Sequence, residues 1–153
     1  MRAYRHSQTS VLNLFALGIP AVACLFAFFV MPISGFWAYF TLGLGLFFLA
    51  TTYCFHSLEI EVDPDNVRMA FGPGFIKKSW PIAKCKSARY IRTKTIDGWG
   101  IRLTSNGWLY SVSLPHAVLI RLESDKAISL GTDEPKELLA ALEEAGVSIE
   151  NDD

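Results

Sequence analysis

Two uncharged apolar runs, Val11–Val30 and Phe36–Tyr53, are separated only by Met31–Gly35, and that spacing constrains the rest of the chain. A helix of about twenty residues crosses a hydrocarbon core of ~30 Å, and the two runs match that length. So short a connection forces an antiparallel return. The expected architecture has four parts: an N-terminal tail over 1–10, a transmembrane helical hairpin over 11–56 (helices 11–30 and 36–55), a compact domain over 57–149, and an acidic tail over 150–153.

Two processing readings compete with the hairpin. A cleaved signal peptide has a shorter apolar core and a small-residue cleavage site, and neither feature fits the first run. Ala21-Val22-Ala23-Cys24 loosely resembles a lipoprotein cleavage motif, but the usual leucine is missing and the apolar run continues through Phe28 and Val30. Lipidation at Cys24 stays open as an alternative. Cys24, Cys54 and Cys85 form an odd, scattered set that fits free thiols in a reducing compartment.

Charge orients the hairpin. Arg2 and Arg5 precede the first helix, many Lys and Arg follow the second, and the connecting loop has none. The positive-inside rule then predicts cytoplasmic termini in a multi-pass protein of the cytoplasmic membrane, with Trp37 and Tyr39 in the aromatic belt on the far side. Asn13 is the one strongly polar side chain in the first run; counted outward from the turn it falls level with Thr51–Tyr53, where an interhelical hydrogen bond is expected. The hairpin contains no ionisable set for transport. Pro20 is expected to kink the first helix, and Gly43 and Gly45 to allow close approach of the second.

After residue 57 the apolar period changes from helical to alternating. Leu58, Ile60 and Val62 alternate with acids, Asp63-Pro64-Asp65-Asn66 turns the chain, and Val67, Met69 and Phe71 resume the alternation up to Gly72-Pro73-Gly74. Further strands are expected over Phe75–Trp80 and Cys85–Arg92. An Asn106-Gly107 hairpin would set Ile101 and Leu103 opposite Val112 and Tyr110, and another hairpin would turn at Ser124-Asp125 between Ala117–Glu123 and Ala127–Leu130. The last element reads as a helix: Thr132 or Asp133 caps it, Pro135 opens it, Leu138, Leu139 and Leu142 form its stripe, and Gly146 stops it. The predicted domain is mainly β, about seven antiparallel strands in a barrel or bent sheet plugged by a C-terminal helix.

That order, with Gly98-Trp99-Gly100-Ile101-Arg102, Gly107-Trp108-Leu109-Tyr110-Ser111-Val112 and Gly131-Thr132-Asp133-Glu134-Pro135 within it, resembles bacterial pleckstrin-homology-like (PH-like) domains anchored by transmembrane helices. The resemblance covers the whole chain as a pattern of elements and implies binding or assembly at a membrane. It transfers no ligand motif, and Asp63 and Asp65 occupy the first strand connection, where a phosphoinositide-type basic loop would be expected.

The net charge of −1 hides a basic zone between two acidic ones. Val67–Leu103 carries nine bases against Asp97 alone, whereas Arg121 to the end carries ten acids against three bases. In an uninterrupted strand, Lys84, Lys86, Arg92 and Lys94 would share one face, with Lys77 and Lys78 nearby. So close to a bilayer, such a strip lies within a Debye length of ~8 Å of anionic headgroups; an ordinary solvated sheet face is the plainer reading. Trp99 and Trp108 are either barrel-rim packing or anchors for a partner. Nucleic acid is not an expected partner, because acidic zones flank the strip and Tyr90 is its one aromatic.

His6, His56 and His116 stand in the tail, at the membrane boundary and in a loop, without Cys, Asp or Glu at triad or ligand spacing; Gly72-Pro73-Gly74 and Gly98-Trp99-Gly100 read as turns. No catalytic residue, metal or cofactor is therefore expected. The sequence predicts a non-enzymatic scaffold in the cytoplasmic membrane, binding a membrane-protein partner or another copy of itself. The alternative is an accessory subunit of a larger membrane enzyme or transporter complex.

Overall fold

The computed structural model describes residues 4–32, 34–93, 100–104, 107–112, 115–124 and 126–150, apart from the side chain at position 12. Its first element lies in the expected tail. Tyr4–Thr9 is a strand, β1, which leads directly into helix α1 (Val11–Val30). Helix α2 (Phe36–Phe55) returns and runs into β2 (Ser57–Val62). Strands β1 and β2 pair antiparallel over their full length, from Thr9 opposite Ser57 to Tyr4 opposite Val62. The hairpin is thus inserted between two neighbouring strands of one sheet. Sequence reading missed β1 because its residues are polar and its partner lies beyond the hairpin.

Both helices are long and apolar enough to cross a membrane, and only 11% of each candidate span is buried, unlike the core helix of a globular domain. Phe26, Phe29 and Phe47 are more than half exposed. The helices meet through small residues: Ala21 is buried, and a Cβ at Gly45 would come within 3.1 Å of Leu25. Gly43, expected to share that role, has open space beside it. Helix α1 runs unbroken through Pro20.

At the hairpin base, the Ser10 N–H donates to the His56 carbonyl at 2.9 Å and the Ser10 hydroxyl accepts from the Asn13 N–H at 3.1 Å. Asn13 is buried, and its side-chain amide donates across the helices to the Phe55 carbonyl at 3.3 Å. The expected interhelical bond forms, two residues beyond Tyr53. Thr51 and Thr52 instead donate back to Phe47 and Phe48 of their own helix.

Strands β3 (Asn66–Phe71) and β4 (Ile76–Pro81) complete an antiparallel sheet in the order β1-β2-β3-β4. Alternation sorts its faces: Leu58, Ile60, Val62, Val67, Met69 and Phe71 enter the core, while Glu59, Glu61 and Arg68 face outward. Fully burying one such side chain stabilises the fold by about 1.5–3 kcal/mol, so this face supplies much of the core.

A second sheet contains β5 (Cys85–Arg92), β6 (Gly100–Thr104), β7 (Gly107–Ser111), β8 (His116–Leu122), β9 (Ala127–Gly131) and β10 (Ser148–Ile149), in the order β10-β5-β8-β9-β7-β6. It departs from the all-antiparallel expectation, because β7 pairs parallel with β9 and β10 pairs parallel with β5. The described strands number ten and form two sheets, not a closed barrel. Gly107 belongs to its strand and not to the turn, so Ile101 faces Tyr110 and Leu103 faces Trp108. Helix α3 (Pro135–Glu144) seals the core with Leu138 and Leu142, both fully buried. Thr132 accepts a bond from the Glu134 N–H just before that helix, and Glu134 takes the cap position without a side-chain cap bond.

Candidate functional site

The two ends of the first sheet differ chemically. At the end that joins the hairpin, the β3–β4 turn abuts the last turn of α2. The Gly72 N–H donates to the Ser57 carbonyl at 2.9 Å, and a Cβ at Gly72 would lie 2.7 Å from the Cys54 carbonyl oxygen. Phe55 packs edge-on against Phe71 at 5.4 Å, and Phe75 against Tyr53 at 6.2 Å. Lys77 and Lys78 follow at this end, opposite Ala70 and Met69.

The far end holds the rest of the predicted strip. Pro81 lies about 10 Å further along β4 than Lys78, at the strand rise of ~3.3 Å. A 3-10 turn (Ile82–Lys84) follows, and its Ile82 N–H bonds the carbonyl of Asp65 in the far turn. Lys84 sits in that 3-10 turn, and the register of β5 shifts between Cys85 and Ser87, around Lys86. The uninterrupted strand that would align Lys84, Lys86 and Arg92 is therefore absent. Arg92 ends β5 opposite His116, about 20 Å from Lys86. Lys94 and Trp99 lie outside the described residues. Of the six basic positions, Lys77 and Lys78 are neighbours at the hairpin end of the first sheet, on opposite faces of β4, and Lys84 and Lys86 lie beyond its far end.

An open groove of about 680 Å³ runs over the outer face of the first sheet, walled by Arg5, Glu59, Glu61, Arg68, Lys77 and Ser79. Much of its charge is already satisfied. Arg5 donates to Glu59, which raises the guanidinium pKa further, and Arg68 pairs with Asp63 at 3.1 Å. Both pairs lie at the surface, where water and salt screen them, so they add little to stability. Neither Lys77 nor Lys78 has an ion pair among the described residues.

On its inner side, β1 makes a polar seam that sequence reasoning missed. The Gln8 amide donates to the Gly131 carbonyl, and His6 meets Asp133 through Nε2 at 2.7 Å and Glu134 through Nδ1 at 3.1 Å. Burial, and next to it the Glu134 carboxylate, push the Tyr4 hydroxyl up to about 12. The only signal for this seam is the alternation of Tyr4, His6 and Gln8, which is legible once β1 is known to be a strand. His6 and Arg5 project to opposite faces, so the groove and the seam do not converge. Among the described residues no three His, Cys, Asp or Glu side chains form a metal-ligand cluster.

The second sheet offers an uncovered apolar rim. Among the described strands, β6 lies at the edge of its sheet. On one face of the β6–β7 hairpin, Tyr110 is buried, but the next cross-strand pair, Leu103 and Trp108, is 70% and 47% exposed. Elsewhere burial pushes the Cys85 thiol up, and the Glu150 carboxylate is lowered, first by the Ser87 hydroxyl donating to it at 2.7 Å. No family model and no curated protein matches this chain.

Proposed function

We propose that the protein is a membrane-anchored, non-enzymatic assembly module, with its hairpin across the cytoplasmic membrane and both termini in the cytoplasm. One observation carries this reading: two apolar helices of twenty residues, exposed along their length, are built into the strand order of a folded sheet. Exposed apolar surface on that scale needs lipid to cover it. The absence of a linker holds the domain at the bilayer, where anionic headgroups meet its basic residues. A PH-like relationship is supported by the two sheets sealed by a C-terminal helix and opposed by the parallel pairings.

Leu103 on the β6 edge and Trp108 opposite it on β7 are the binding surface for a protein partner or a second copy. Main-chain groups of an edge strand and a neighbouring aromatic supply affinity and specificity together. Leu103→Asp should abolish self-association of the full chain in mild detergent, measured by light scattering, and leave carbonate-resistant membrane retention intact. Release of the wild type by carbonate would overturn the anchor. One stoichiometric membrane protein in place of self-association would reassign the chain as an accessory subunit.

A further inference from the structure

Phe75 is 70% exposed at the tip of the β3–β4 turn, although the sheet behind it buries every apolar side chain of β2 and β3 that faces the core. Its neighbour in space is Tyr53, itself 57% exposed on the last turns of α2. The two rings thus continue the exposed surface of the hairpin onto the sheet domain. Gly72 makes that continuity rigid. Its N–H donates to the Ser57 carbonyl at 2.9 Å, and its φ is positive at 52°. A Cβ there would come within 2.8 Å of the Cys54 and Tyr53 carbonyl oxygens, so the turn packs too closely on the helix end for any side chain. Lys77 and Lys78 follow, exposed and without ion pairs among the described residues. An aromatic ring beside lysines at the level where an apolar helix ends has the chemistry of a membrane interface.

Resting on the reading that the hairpin spans a bilayer, we propose that the Gly72–Phe75 turn is a third contact with the membrane. Phe75 lodges beside Tyr53 at the headgroup and upper acyl level, and Lys77 and Lys78 bind the phosphates of anionic lipids. The lipid-facing lysines are then these two, one on each face of β4 at its hairpin end; Lys84 and Lys86, beyond the far end of β4, take no part. The domain is held by two helix ends and one turn, which fixes its tilt.

The test places the photo-crosslinker benzoylphenylalanine at 75, 47 or 108 in the full chain, reconstituted in nanodiscs of phosphatidylcholine with or without phosphatidylglycerol. Lipid adducts are read by mass spectrometry. Adducts are expected at 47 and 75 and not at 108. Phosphatidylglycerol should be enriched at 75, and Lys77→Glu with Lys78→Glu should lower that enrichment several-fold. Adducts at 47 without any at 75 would overturn the third contact and leave the anchor standing. No adducts at 47 would overturn the anchor itself. Adducts at 75 without enrichment would overturn the role of the lysines.

Discussion

The two sheets bury similar side chains by different routes. The first is a consecutive meander in which each strand pairs with its chain neighbour, once the hairpin is treated as a long connection between β1 and β2. The second joins β7 to β9 and β5 to β10, neither of which is a neighbour in the chain, and both pairings are parallel. Local alternation specifies a strand's face, but it does not specify a partner from another part of the chain. The first sheet is therefore the part coupled to the hairpin, and the second completes the core behind it.

The sharpest way to break this comparison is to remove one edge strand from each sheet. Deleting residues 1–9 removes all six pairings of β1, the Gln8 bond to Gly131 and the His6 contacts with Asp133 and Glu134. We expect a loss of about 3 kcal/mol or more, which lowers the thermal midpoint by roughly 15 °C for a domain of this size. Ending the chain at Val147 removes the two-residue β10 together with the Glu150 contacts to Ser87, Ala88 and Arg121, and should cost about 1 kcal/mol. Thermal unfolding followed by near-UV circular dichroism in detergent compares the two. Equal losses would mean that β1 is no more integral to its sheet than β10 is.

The same contrast explains which parts of the fold were legible. Helix limits at Val11, Val30 and Phe36 follow from where charge and turn residues interrupt apolar runs. The strands around Leu58–Val62 and Val67–Phe71 follow from their alternation. Strand β1 stayed hidden because Arg5, Ser7 and Thr9 alternate with Tyr4, His6 and Gln8, so neither face is apolar. Lys84, Lys86 and Arg92 do not lie along one uninterrupted strand, because a 3-10 turn at Lys84 and a bulge at Lys86 are set by packing between distant segments. Lys77 and Lys78 were legible as charges; their place at the hairpin end of the sheet depends on the turn folding back onto α2, where Phe75 meets Tyr53.

Glycines sharpen the comparison at the next level of effect. Gly107 has φ of 94°, and a Cβ there would overlap the Ala127 carbonyl of β9, the parallel neighbour of its own strand. Gly72, in the first sheet, has φ of 52° and a Cβ would meet the carbonyl oxygen of Cys54 at 2.7 Å. Gly100 has φ of 92° with nothing within 4 Å. Gly100→Ala therefore isolates dihedral strain, about 1–2 kcal/mol. Gly107→Ala and Gly72→Ala add a backbone clash and should each cost about 3 kcal/mol. Urea or thermal titration ranks the three. If Gly107→Ala costs no more than Gly100→Ala, then β7 does not lie against β9, and the parallel pairing that separates the two sheets is lost.

The smallest expected effect compares two tyrosines, one in each sheet. Tyr4 is pushed up to about 12 by burial and then by Glu134, and Tyr110 is raised by burial alone. A raised phenol pKa means that folding favours the neutral ring. The stabilisation is complete below the unfolded value near 10 and is lost as pH rises through the folded value. Stability should therefore fall between about pH 10 and 12, and Tyr4→Phe and Tyr110→Phe should each shallow that fall. Salt separates the causes. The Glu134 contribution to Tyr4 is Coulombic and is screened at high ionic strength, whereas the cost of burying a charged phenolate at Tyr110 is not. The difference between wild type and Tyr4→Phe should shrink with added salt, and the difference for Tyr110→Phe should persist. A salt-independent Tyr4 difference would mean that burial alone raises it, and the seam between β1 and the start of α3 would then be no more electrostatic than the interior of the second sheet.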